Sequence, residues 1–415
     1  MRLNRRGFLT ASGTVSLAAL LAACGSDDDE GGGSATTVAG GIDRGSGGST
    51  TTAAAAGPLP VMDDETMETL DRIFAEQFEA TGLIGLAGAV RIGDGVWTGT
   101  TGVRNLESEE PFTPDDFVRI ASISKTFTAT AVLQLVDEGL LALDDLLEMY
   151  VPGVINGDVA TLRDLLAMQS GIPDFTANEA FLQRFTADPT LPWTPEDTLA
   201  VIAEAPGPDF APGDKVAYCD SNYFLLGQVM QAVTGVPAGE TITTKIIEPL
   251  GLTSTSYPTD VTIPDPHPTG YVPDLGDDPG APFDNQARPP TVVDEVNPAV
   301  PSTAGAIISK LADVQRWGTE LVEGTLLSPE TQAERLQFRR FDGQAINFGY
   351  GLGLTNLNEF LGHDGAIFGF SSVVFTRPET DTQFAFVANE STNSTTPTLT
   401  VALAMIQELY PDQLT

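Results

Sequence analysis

Ser122 and Lys125 stand three residues apart in the stretch Phe117-Val118-Arg119-Ile120-Ala121-Ser122-Ile123-Ser124-Lys125, which an apolar run to Val136 follows. On a helix that spacing puts both side chains on one face. A hydroxyl beside an amine able to take its proton is a nucleophile with its base. The free N–H groups of a helix start, together with the helix dipole, suit a developing oxyanion. The plainer alternative makes Ser122 a helix cap. Lys125 is harder to explain plainly. The helix it opens carries Phe127, Ala129, Ala131, Val132, Leu133, Leu135 and Val136, with only Thr and Gln between them, so it should be buried on nearly every side. An ammonium there needs a reason, either catalysis or a buried salt bridge. Asp137-Glu138-Gly139 should end the helix, with Gly139 in the left-handed position.

Two later stretches carry residues that could complete a site. One is Tyr218-Cys219-Asp220-Ser221-Asn222-Tyr223, the other Leu361-Gly362-His363-Asp364-Gly365-Ala366. Singly, each has an ordinary reading. Tyr218 can be a core aromatic with a satisfied hydroxyl, and the glycines around His363 suit a tight bend. Cys219 reads as a small buried filler.

In order, the three stretches resemble the serine β-lactamase-like family, which includes class C β-lactamases, D-alanyl-D-alanine carboxypeptidases and related esterases. The family pattern is S-x-x-K, then Y-x-N, then K-T-G or H-x-G. Here it becomes Ser122-x-x-Lys125, Tyr218-x-Asp220 and His363-Asp364-Gly365. Thr161 to Leu166, Ser170-Gly171-Ile172-Pro173, Phe210-Ala211-Pro212-Gly213, Pro249 to Leu252 and Ala304-Gly305 also look like the family, so the resemblance spans about Met62 to Tyr410. It implies Ser122 as nucleophile and Lys125 with Tyr218 as proton carriers. It further implies an oxyanion hole from the Ser122 N–H and a strand N–H near Ala366 to Phe368, with Gly365 letting substrate lie against that strand. His363 would stand where relatives keep a lysine. No metal or organic cofactor is expected.

Asp220 departs from the pattern. The distance from Tyr218 to Leu225-Leu226-Gly227 fixes it in register and places Asn222 two residues too late. An ionised aspartate only accepts hydrogen bonds, and it favours a charged lysine. Weight as proton acceptor should therefore move toward Tyr218.

Hydrophobic periodicity supplies the elements that must hold these residues. Asp63 to Ala80 reads as an amphipathic helix, and Leu83–Ile92 and Val96–Val103 as strands joined at Gly93-Asp94-Gly95. A helical, loop-rich middle runs to about Val300, proline-punctuated from Pro258 to Pro301. Ser309–Glu323 and Thr398–Tyr410 read as helices, and Phe348–Leu357, Ser371–Arg377 and Gln383–Asn389 as strands. The expected class is α/β (α+β). One antiparallel sheet would be built from both ends of the chain and flanked by helices, with a mostly helical subdomain inserted.

The chain of 415 residues is 41% hydrophobic, enough for a large core. With 57 acidic against 20 basic residues its formal charge is -37, which argues against nucleic-acid partners. Two cysteines and two histidines leave little for a disulfide framework or a zinc site. A metal-dependent hydrolase using His267 or His363 is a poor rival. A non-catalytic, tethered binding protein of the same fold is a better one.

Residues 1–23 read as an export signal: Arg5-Arg6-Gly7-Phe8-Leu9 resembles a twin-arginine motif, and an apolar run leads to Leu21-Ala22-Ala23-Cys24. That ending resembles a lipobox and implies lipid on Cys24, against an ordinary cleaved signal with an incidental cysteine. Residues 24–57 read as a flexible Gly/Ser/Thr/Asp tether, and residues 58–415 as the hydrolase domain. The expectation is an exported protein, lipid-anchored outside the membrane or periplasmic. There the resemblance implies a D-alanyl-D-alanine carboxypeptidase-like hydrolase that works on cell-wall peptides through an acyl-enzyme on Ser122, with an esterase or β-lactamase of the same fold as the alternative.

Overall fold

The structure is a computed structural model, and it describes residues 59–273, 289–344, 346–391 and 396–411. The export signal, Cys24 and the tether lie outside the described residues. Helix α1 (Asp64–Thr81) starts at Asp63, whose side chain accepts from Thr66 N, and ends at Gly82 with φ 68°. Strands β1 (Gly85–Ile92) and β2 (Gly95–Gly102) then form the expected hairpin. Val118–Arg119 (β3), Tyr271–Val272 (β4), Thr291–Val292 (β5) and Ile308–Ser309 (β6) are short strands outside the main sheet. The C-terminal part adds β7 (Arg339–Arg340), β8 (Phe348–Tyr350), β9 (Thr355–Leu357), β10 (Phe360–Ile367), β11 (Phe370–Arg377) and β12 (Thr382–Ala388).

These build one eight-stranded sheet in the order β2-β1-β12-β11-β10-β9-β8-β7, with every pairing antiparallel. β1 pairs directly with β12, so the N- and C-terminal parts of the fold meet inside the sheet, one strand in from the β2 edge. Every residue of β11 and β12 is buried, because helices cover both faces. α1 and the C-terminal helix (Pro397–Leu409) share one core with Leu86, Phe384 and Phe386. The other face packs the helix Leu311–Glu323 and α2 (Ser124–Asp137) into a larger core with the inserted helices.

α2 is buried on all sides, as its composition demands. The Phe127 and Trp317 rings stack at 3.9 Å, and Trp317 Nε1 donates to Thr126 Oγ1. Gly139, at φ 71°, follows its end. Two expectations are corrected. Phe348–Leu357 is not one strand: it turns at Gly351-Leu352-Gly353, where a Cβ on Gly353 would meet the Ala129 Cβ of α2 at 2.1 Å. Ser309 belongs to β6, which pairs with β3, so the helix that follows begins only at Leu311.

Candidate active site

A 3₁₀ turn (Ala121–Ile123) leads into α2, with Ala121 at φ 48°, a left-handed conformation that costs energy for a residue with a Cβ. Between Val118 and Leu133, Ser122 alone is not fully buried. The turn thus lifts one hydroxyl out of an apolar helix. Ser124 stays inside, where its Oγ accepts from Ile307 N at 3.1 Å.

Lys125 is completely buried. Its Nζ donates to Ser122 Oγ (2.9 Å), Asp220 Oδ1 (2.6 Å) and the Ala304 carbonyl (2.9 Å), and lies 4.8 Å from the centre of the Tyr218 ring. Three acceptors use all three ammonium protons, which offsets a desolvation cost of several kcal/mol. Asp220 opens helix α3 (Asp220–Thr234), and its side chain is 26% exposed, so it faces both the lysine and solvent. Asn222 points elsewhere, accepting from Ser170 Oγ at 2.5 Å. The register chosen from Tyr218 therefore puts Asp220, and not Asn222, at the lysine.

Tyr218 is half-buried, and its hydroxyl interacts with that of Ser122. Burial, reinforced by the charge of Asp220, pushes its hydroxyl well above the usual tyrosine range. A phenol held protonated can pass a proton along but is a poor acceptor. The expected shift of base character from Lys125 to Tyr218 runs against this electrostatics.

The third motif lies in β10, a strand where a bend was the plain reading. Strand alternation puts His363 and Gly365 on one face. That face meets the serine turn: a Cβ on Gly365 would lie 2.6 Å from Ile120 O and 2.9 Å from Ser122 N. Ser372, paired with Gly365 across β11, holds the Ile120 carbonyl at 2.8 Å. β9 pairs only with Phe360–Gly362, so β10 from His363 onward lacks a ladder partner on that side among the described residues. Ala366 is partly exposed on this strand, and the Ser122 N–H lies against the neighbouring Gly365.

His363 is almost fully buried, and its ring lies 6.1 Å from that of Tyr218. Nδ1 is 2.5 Å from the Asp364 carbonyl and must donate to it, which leaves Nε2 to accept from the Tyr350 hydroxyl at 3.1 Å. Burial, the largest influence, lowers the His363 pKa. Cys219 is buried, and desolvation raises its thiol well above the usual value, so it is no nucleophile. His267 pairs with Asp265 at 3.1 Å. Among the described residues no three His, Cys, Asp or Glu side chains gather to hold a metal.

Two site residues were not found from sequence. Tyr350 has no signal beyond its place in a strand pattern. Asp174 directly follows Ser170-Gly171-Ile172-Pro173, and its Oδ2 accepts from Asp220 N at 3.1 Å.

A buried lysine bound to a serine, a neighbouring tyrosine and a strand edge across a glycine define a serine hydrolase of β-lactamase-like fold. The Beta-lactamase family model matches residues 70–404, and the chain belongs to that family. It is 26% identical over 319 residues to a D-aminopeptidase of Brucella anthropi, covering 74% of this chain and 56% of that protein. The chain thus spans about half the length of that relative. Among solved structures it resembles a D-stereospecific amidohydrolase from Streptomyces sp. with 31% identity and a TM-score of 0.71, covering 83% of this chain and 97% of that one. The octameric penicillin-binding protein homologue of Pyrococcus abyssi gives 25% and 0.70, covering 82% and 77%.

Proposed function

We propose that this chain hydrolyses amides or esters of D-configured acyl donors through an acyl-enzyme on Ser122. The observation that carries this is Lys125 Nζ, held 2.9 Å from Ser122 Oγ in a fully buried position. Ser122 Oγ bonds to the substrate carbonyl carbon as its proton passes to Lys125 in its neutral amine form. The tetrahedral oxyanion sits between the Ser122 and Ala366 N–H groups. Each such donor is typically worth about 3–4 kcal/mol. The C–N or C–O bond then breaks, and the leaving group takes the proton by way of Tyr218. Water repeats the sequence and frees the acid.

The preference for D-amides is drawn from the Streptomyces amidohydrolase and the Brucella aminopeptidase. The carboxypeptidase expected from sequence needs a cation for the terminal carboxylate. Burial disfavours a charged His363 and both its nitrogens are engaged, while Lys125 is saturated. This supports an amide or free-amine donor over a D-alanyl-D-alanine tail. Steady-state rates on D-phenylalanine amide, its L-enantiomer, a D-alanyl-D-alanine peptide and a nitrophenyl ester test the choice. Release of D-alanine at a rate matching the D-amide would restore the carboxypeptidase reading.

Export and lipid anchoring through Cys24 are part of the same proposal, supported by the order of arginines, apolar run and cysteine. Moving Cys24→Ser protein from the membrane to the soluble exported fraction is the expected result.

A further inference from the structure

A charged Lys125 cannot act as a base in this geometry, because its three protons would be donated to Ser122 Oγ, Asp220 Oδ1 and the Ala304 carbonyl. In relatives an asparagine at this place leaves the question open, but an aspartate fixes the lysine as an ammonium unless something moves a proton. We propose that Asp174 is a positioning residue for the serine chemistry, its carboxylate driving a proton from Lys125 onto Asp220 and so freeing the lysine's lone pair. This rests on the reading of Ser122 as nucleophile.

The geometry is a line of four groups. Lys125 links Ser122 to Asp220, and Asp174 Oδ2 sits on the N–H of Asp220 at the first turn of α3. The Asp174 carboxylate is pinned there, its Oδ1 accepting from Thr176 N (3.0 Å) and Thr176 Oγ1 (2.9 Å). When Asp174 is ionised, a second carboxylate stands against Asp220, whose own oxygen holds the ammonium. Transferring one proton replaces the charged lysine and two like charges with neutral lysine, neutral Asp220 and a single anion. Full burial of Lys125 favours the arrangement with fewer charges. Ser122 Oγ then bonds to the carbonyl carbon, and its proton goes to the lysine amine.

Among the described residues no second cation is paired with Asp220. Asp220 is faced by Lys125, Tyr218, Tyr350, His363, Cys219 and Asp174. Burial holds both tyrosines and the thiol protonated and His363 toward its neutral form. Asp174 is left to respond to pH: burial first, then the charge of Asp220, raise its carboxyl to about 7. Below that point Asp174 is neutral and the lysine stays charged. Above it the base is available.

The probe is an alkyl fluorophosphonate, which needs no knowledge of the substrate. Its rate of covalent attachment to Ser122 is followed by intact mass from pH 5 to 9. The wild type should show an acid limb near 7. Asp174→Asn should slow labelling at pH 8 by about 10²-fold, the scale of a lost general base. Thr176→Val keeps Asp174 in place but removes a hydroxyl that favours its ionised form, so the limb should move to higher pH. In an Asp220→Asn background, Asp174→Asn should have no further effect on the limb. If Thr176→Val leaves the limb unmoved, or if Asp174→Asn costs the same with and without Asp220, Asp174 only holds the helix end and the proposal fails. A wild type labelled readily but without an acid limb also overturns it. A wild type never labelled at Ser122 instead removes the serine reading beneath it.

Discussion

Gly365 and Ser122 approach so closely that a methyl on the glycine would stand 2.9 Å from the serine nitrogen. The contact joins two stretches 243 residues apart (365 − 122) and sets the width of the gap in which a carbonyl would lie. Gly365→Ala should therefore push β10 away from the serine turn. Expected is a loss of turnover of about 10²-fold or more, as for one lost oxyanion donor, with about 1–3 kcal/mol of destabilisation from overpacking. Kinetics and thermal melts on the same preparation check both. Unchanged turnover would put the substrate strand elsewhere.

Ser122 and Ser124 should separate function from structure. Ser122→Ala removes a partly exposed hydroxyl and should abolish covalent labelling with little change in melting temperature. Ser124→Ala strips the acceptor from the buried Ile307 N–H and should cost about 1–3 kcal/mol of stability. Labelling that persists in Ser122→Ala would show that the helix face is assigned wrongly.

Lys125 and Tyr218 both reach the Ser122 hydroxyl, and one proton has to leave it. Their losses should not add. Tyr218→Phe and Lys125→Ala are each expected to lower acylation by orders of magnitude, and the double variant hardly further. A double variant whose loss equals the product of the two single losses would mean that the residues act independently.

His363 sets a stability signature at mildly acidic pH. Burial holds its folded pKa below the ordinary histidine value of about 6.5, so the unfolded chain binds the proton more readily. Stability from this group is complete above about 6.5 and is lost as pH falls toward the depressed folded value, by at most about 1.4 kcal/mol per pH unit. His363→Gln should flatten that part of the curve in urea melts between pH 7 and 5. An identical slope in the variant would mean that His363 is not buried neutral.

The sequence alone determined the order of elements and the nucleophile's neighbourhood, because both are local. Period-3.6 and period-2 patterning placed α1, α2, the β1–β2 hairpin, β11 and β12, and the apolar surroundings of Lys125 marked it as a residue needing a partner. Resemblance of three short motifs then brought Ser122, Tyr218, Asp220, His363 and Gly365 into one expected site, and the fold holds them together. Tertiary structure decided what each can do. That all protons of Lys125 are spoken for depends on the Ala304 carbonyl, 179 residues away. That Tyr218 keeps its proton depends on burial and on the nearby Asp220 and Asp364. Tyr350, which fixes the protonated nitrogen of His363, and Asp174, which lies against Asp220, carry no sequence mark. Spacing along a chain fixes which faces can meet. Desolvation and hydrogen-bond saturation belong to the packed site, because they sum over groups that only folding brings within a few ångströms.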